Sequence, residues 1–162
     1  MNFYEIFDIP IAPIVDKTIL SKKYFELQRM NHPDFFSTAT DHEKEKALEY
    51  SAIINEAFKT FKDEQKSLAY YLKEKSMIID DEKYVLSNDF LMEMLEINEE
   101  IMEENTSAVH LKISTIANEL RDTVKDIILG NQSEDSTMAL LKLKDYYYKK
   151  KYLDRILDRL SD

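Results

Sequence analysis

Apolar residues recur along most of the chain at the three- and four-residue spacing of a helix. Asn2 to Phe7 predicts a short first helix, stopped by Pro10 and Pro13. Asp16 is placed to cap a second helix running to about Asn31, with Leu20, Tyr24 and Leu27 along one face. Pro33 ends it, because the residue before a proline is pushed out of the helical region, and His32 to Ala39 is expected to be a loop. Thr40 and Glu43 form a capping box for a third helix to about Lys62, whose apolar face is Ala47, Ile54, Phe58 and Phe61. A shorter fourth helix, about Gln65 to Lys75, carries Leu68, Ala69 and Leu72.

The pattern breaks from Ser76 to Leu86, which reads as a junction between two units and divides the chain into 1–75, 76–86 and 87–162. Ser87 is placed to cap a fifth helix through Glu104, rich in Leu91, Met92, Met94, Leu95 and Ile97. A sixth begins near Thr106 and follows Val109, Ile113, Ile116, Leu120, Val124 and Ile127. Gly130, the only glycine, falls where a helix end needs a residue that can turn left-handed. The seventh spans about Glu134 to Leu160, with Leu141, Tyr146, Leu153, Ile156 and Leu160 expected to face inward. Three long helices with short connections predict an antiparallel bundle. The fold class is therefore all-α: a helical hairpin followed by a three-helix bundle.

Composition supports this and removes several functions. At 162 residues and 44% hydrophobic, the chain can build one core or two small ones. One glycine and three prolines cannot supply the turns of a sheet protein. The same single glycine leaves no P-loop and no dinucleotide fingerprint. The lack of cysteine excludes disulfides, thiolate metal sites, cysteine-ligated iron–sulfur clusters and thiol nucleophiles. A net charge of −10 argues against a nucleic-acid partner. No apolar run approaches the roughly 20 residues of a membrane span. The opening Met-Asn-Phe-Tyr-Glu is neither a signal nor a transit peptide, so a soluble, cytoplasmic protein is expected. A carboxylate-bridged di-metal enzyme would need Glu-x-x-His pairs, but Arg29, Ala39 and Ser107 stand three before His32, His42 and His110. His42 and His110 are read as surface residues, and no enzyme activity, metal or cofactor is predicted.

The charge is uneven. Asp80 to Glu104 holds ten acids against Lys83 alone, a local charge of −9. Lys142 to Asp162 is biased the other way, at +3. Lys22, Lys23 and Arg29 outweigh Glu26 just before His32. Each bias alone describes a solvated face.

His32-Pro33-Asp34 joins the second and third helices, setting a rigid proline between an imidazole and a carboxylate at a hairpin tip. A carboxylate held on a stiff turn is well placed to engage a partner's arginine. With no nucleophile or oxyanion donors converging there, it is poorly placed for catalysis. This hairpin resembles the J-domain, the DnaJ-type module that stimulates ATP hydrolysis by DnaK-type chaperones. Tyr4-Glu5-Ile6-Phe7 resembles its Tyr-x-x-Leu/Phe opening, and Ile54-Asn55-Glu56-Ala57-Phe58 its third-helix signature. Further on, Phe90-Leu91-Met92-Glu93-Met94-Leu95-Glu96-Ile97 is similar to the Phe-Leu-Met-Glu-x-Leu-Glu segment of the HscB co-chaperones. Leu27-Gln28-Arg29, Ser51-Ala52-Ile53-Ile54-Asn55 and Ala69-Tyr70-Tyr71-Leu72 fit the same family.

The resemblance implies a co-chaperone of iron–sulfur cluster assembly. His32, Pro33 and Asp34, with Lys22, Lys23 and Arg29 steering the approach, would dock on the DnaK-like ATPase HscA. The C-terminal bundle would bind the scaffold protein IscU through Leu91, Met92, Leu95 and Glu96, with Glu99 and Glu100 nearby. An aromatic on the last helix joins that patch in the family, and Tyr146 or Tyr147 is the nearest match here. If Phe90, Met94, Ile97 and Ile101 fill the core, Leu91, Met92 and Leu95 are left outward. The same hairpin on a general J-protein would serve another client of a DnaK-type chaperone. Two departures stand out: Phe35 follows the triad where the family usually has Lys, and Leu68 replaces the Arg before the fourth-helix Ala. The lack of the Cys-rich N-terminal segment found in some eukaryotic relatives favours a bacterial protein.

Overall fold

A computed structural model describes residues 1–103, 105–130 and 136–161, and divides the chain into two compact units, Met1–Tyr71 and Leu72–Asp162. Among the described residues the regular structure is helical: α1 (Phe3–Phe7), α2 (Lys17–Met30), α3 (Asp41–Lys62), α4 (Glu64–Glu74), α5 (Asn88–Met102), α6 (Thr106–Leu129) and α7 (Ser136–Ser161). The unit boundary falls within α4. The expected helix ends at Glu104 and Glu134 lie outside the described residues.

In the first unit the helix starts are fixed by side chains the sequence supplies. The side chains of Asn2 and Glu5 each accept the other's backbone N–H, at 2.9 and 3.0 Å, and those of Thr40 and Glu43 do so at 3.2 Å each. Asp16 caps α2 by accepting the Ile19 N–H at 2.9 Å. The core gathers Tyr4, Phe7, Leu20, Ile54, Ala57 and Phe61 from α1, α2 and α3. Phe61 is its hub, meeting the rings of Phe3, Tyr4, Phe7 and Tyr70 at 4.9 to 6.2 Å. Tyr70 Oη accepts the Phe3 N–H at 2.9 Å, tying α4 to the start of α1. Ser67, fully buried, donates to the Pro13 carbonyl at 3.0 Å, so its hydroxyl is satisfied. Leu68 beside it is buried, which suits leucine and would leave an arginine's charge without water.

In the second unit, Phe90, Met94 and Ile97 on α5 meet Val109, Ile113 and Ile116 on α6 and Leu153 and Ile156 on α7. These are i, i+3, i+4 and i+7 positions, one stripe per helix. Gly130 ends α6 with φ +74°, as a left-handed C-cap requires. On α7 one expectation fails: Leu141 is exposed, while Ala139, Leu143 and Tyr146 are buried. Two residues along a helix is about 200° around it, so position 141 opposes the 139–143–146 stripe. The small Ala139 hid the true inward register.

The segment before α5 is bound to α7. Tyr84 stacks on Tyr148 with centroids 4.5 Å apart and donates to Asp145 Oδ1 at 2.8 Å. Glu82 accepts from Tyr148 Oη at 3.1 Å and pairs with Lys144 at 3.0 Å. Among the described residues no helix is long and apolar enough to cross a membrane.

Candidate functional site

The hairpin tip is built by α2, the turn after it and α3. His32 to Ala39, expected to be a loop, contains a 3-10 turn over Pro33–Phe36. Proline's fixed φ suits the first position of such a turn, and the Phe35 N–H donates to the His32 carbonyl at 3.0 Å. His32 caps it: Nδ1 accepts the Asp34 N–H at 3.3 Å. The same nitrogen lies 3.5 Å from Asp34 Oδ2. The imidazole thus braces the turn while the Asp34 side chain stays 91% exposed.

α2 and α3 are pinned behind the tip by four polar side chains. Asn55 Oδ1 accepts from Tyr24 Oη at 2.7 Å and from Gln28 Nε2 at 2.9 Å. Gln28 Oε1 accepts from Ser51 Oγ at 2.9 Å. The pairs 24/28 and 51/55 are each one turn apart on facing helices. That spacing was the available signal, and sequence reasoning passed over it. Of the predicted cations, Lys22 and Arg29 are exposed, whereas Lys23 reaches Asp8 at 3.4 Å. Arg29, Asp34, Phe25, Phe35, Gln28 and Ser51 line a groove of about 500 Å³ beside the turn.

The second candidate surface lies on α5. Phe90, Met94 and Ile97 turn inward, leaving Leu91, Met92 and Leu95 at 42, 60 and 53% exposure. Positions 91, 92 and 95 span one turn, so they form one apolar patch. Two of the predicted acids are already engaged: Lys112 on α6 contacts Glu100 at 2.8 Å and Glu96 at 3.9 Å. Donating a hydrogen bond to the Glu100 carboxylate raises the Lys112 pKa. Glu99 stays exposed. Tyr146 is 5% exposed and lines a cleft with Leu120, Met138 and Leu141, whereas Tyr147 is half-buried and meets Tyr148 edge-on at 5.0 Å. Burial raises the Tyr147 pKa. Among the described residues no group of His, Cys, Asp or Glu side chains is arranged to hold a metal ion. Both candidate surfaces are suited to binding proteins.

Comparison with known proteins points the same way. Residues 86–161 match the family model described as the HSCB C-terminal oligomerisation domain. The co-chaperone protein HscB homolog of Colwellia psychrerythraea is 30% identical over 174 aligned positions, covering 100% of this chain and 99% of that protein. The Photobacterium profundum homolog is 37% identical over 102 residues, where the match spans 62% of this chain and 60% of the relative's length. The crystal structure of human co-chaperone protein HscB superposes with a TM-score of 0.81, covering 99% of this chain and 81% of that one. At 24% identity, that likeness speaks for the fold. The chaperone HscB from Vibrio cholerae gives a TM-score of 0.63 at 26% identity, with 99% of both chains covered. With similarity running the full length of a curated relative and the fold shared from end to end, the chain belongs to the HscB family of co-chaperones.

Proposed function

We propose that this chain delivers the iron–sulfur scaffold IscU to the DnaK-like chaperone HscA and stimulates its ATPase in the bacterial cytoplasm. Residues 1–75 act as the J-domain and 87–162 as the scaffold-binding domain, joined through 76–86. Asp34 accepts a guanidinium of the ATPase, an interaction that gains strength from charge and from paired N–H donors. His32 and Pro33 hold the carboxylate out, and Lys22, Lys23 and Arg29 favour approach to an acidic surface. Leu91, Met92 and Leu95 cover an apolar face of the scaffold, with Glu96, Glu99 and Glu100 as a polar rim and Tyr147 as the aromatic of α7. ATP hydrolysis and cluster ligation stay on the partners.

The observation that carries this reading is the division of α5: an apolar patch left outward on a helix whose opposite face already fills a core. A monomer gains nothing from such a patch, and a partner does. The test is single-turnover ATP hydrolysis by HscA with this chain added, alone and with IscU. Stimulation that rises further with the scaffold, and disappears with Asp34→Asn, supports both halves. Stimulation indifferent to the scaffold removes IscU as the client. Absence of stimulation removes the whole reading.

A further inference from the structure

We propose that Phe25 and Phe35 form an apolar half of the chaperone-docking face, seating an aliphatic side chain of the ATPase beside the arginine that pairs with Asp34. This rests on the J-domain reading above and adds the chemistry of the partner's neighbouring residue.

The groove of about 500 Å³ beside the turn joins the two halves, since Asp34 and Arg29 line it together with both rings. Its deeper polar groups are already satisfied. Ser51 Oγ donates to Gln28 Oε1, and Gln28 Nε2 donates to Asn55 Oδ1, each at 2.9 Å. A polar guest therefore gains little from the floor, and the demand for charge sits on the rim, at Asp34 and Arg29.

The walls are apolar and uncovered. Phe25 is 71% and Phe35 65% exposed, so two large rings border one groove without contributing much to the unit's own core. Aromatic anchors of this kind carry much of the energy of protein interfaces when a partner covers them. The charge on this face is thin, which favours the same conclusion. Lys23 is drawn to Asp8, and Glu26 offsets a neighbouring cation. A face with little net charge and two exposed rings depends more on contact area than on long-range attraction. The occupant that fits is a segment of the ATPase presenting an arginine with an exposed aliphatic residue next to it. The guanidinium meets the Asp34 carboxylate, and the aliphatic group fills the space between the rings.

The experiment compares the full chain with Phe25→Ser/Phe35→Ser and with Phe35→Lys. It reads the half-saturating concentration for HscA ATPase stimulation at about 0.05 M and about 0.5 M salt. The double serine variant is expected to raise that concentration about tenfold at both salt levels, equivalent to about 1.4 kcal/mol. Phe35→Lys is expected to lose affinity mainly at high salt, where its charge is screened. Because both rings are exposed, the unfolding midpoint checks that the variants remain folded. A double variant within about twofold of the parent, tested where Asp34→Asn still abolishes stimulation, overturns the apolar contact and leaves the J-domain reading standing. A parent chain that stimulates no ATPase overturns both.

Discussion

The Tyr24 hydroxyl on α2 donates to the Asn55 side-chain oxygen on α3 at 2.7 Å, and the same oxygen accepts from Gln28 at 2.9 Å. One carbonyl thus fixes two successive turns of α2 against α3. Helices held only by apolar stripes can slide by a turn at small cost, whereas a shared acceptor is satisfied in one register. The tip that carries His32 and Asp34 inherits its position from this register.

Asn55→Leu therefore removes two hydrogen bonds at an exposed site, and the loss of stability is expected to be about 1–2 kcal/mol. Urea unfolding followed by helical circular dichroism measures it. Ser51→Ala, which removes the single bond to Gln28, should cost about half as much. A midpoint for Asn55→Leu equal to the parent's would show that the cluster does not hold the hairpin.

Asp34→Asn touches an exposed side chain and is expected to change unfolding free energy by less than about 0.5 kcal/mol. His32→Gln disturbs the cap of the turn and is expected to cost about 1 kcal/mol at most. ATPase stimulation, by contrast, should be lost with either. In Asp34→Asn the isosteric amide keeps the shape and removes the charge that the guanidinium requires. A folded Asp34→Asn protein that still stimulates HscA would place the docking chemistry elsewhere.

On α5 the contrast between neighbours is itself a prediction. Met94 is buried in the bundle core, and Met94→Ala should cost about 2–5 kcal/mol. Leu91, Met92 and Leu95 changed together to alanine should cost well under that, since all three are exposed. The triple variant is expected to weaken IscU binding at least tenfold, equivalent to about 1.4 kcal/mol or more, as read by calorimetry. An unfolded triple variant would mean that the patch supports the bundle.

Helix positions were legible because periodicity, caps and prolines are local signals. The division of α5 into inward Phe90, Met94 and Ile97 and outward Leu91, Met92 and Leu95 was one arrangement the periodicity allowed, and the resemblance to the HscB segment favoured it. Leu141 was misread because an alanine, Ala139, marks the inward face, and hydrophobicity alone favoured the larger residue. The burial of Tyr146 beside half-buried Tyr147 was decided by packing in three dimensions, which consecutive tyrosines cannot signal. The 82–84 strap depends on long-range partners on α7, so a break in periodicity revealed only that a helix stopped. The walls of the loop groove joined residues from α2, the turn and α3, and no single segment of sequence carries that juxtaposition.

The strap gives the C-terminal unit a pH dependence of definite sign. Burial, reinforced by the hydrogen bond to Asp145, pushes the Tyr84 phenol from its usual 10.0 up to about 12. Burial also pushes Tyr148 up to about 12, with its bond to Glu82 adding to the effect. Folding therefore favours the neutral form of both rings. Their contribution is complete below the unfolded value near 10.0 and is lost as pH rises towards about 12. The informative quantity is the difference from Tyr84→Phe/Tyr148→Phe, which isolates these two hydroxyls. At neutral pH that variant loses two hydrogen bonds to carboxylates at a half-exposed site and should be about 1–2 kcal/mol less stable. Across the alkaline range the parent should fall more steeply, and the gap between the two urea midpoints should close. Tyrosinate absorbance, followed in the folded parent and in the folded variant, should show late-ionising phenols in the parent that the variant lacks. Parallel midpoint curves for parent and variant would mean that the strap's hydroxyls do not couple ionisation to folding.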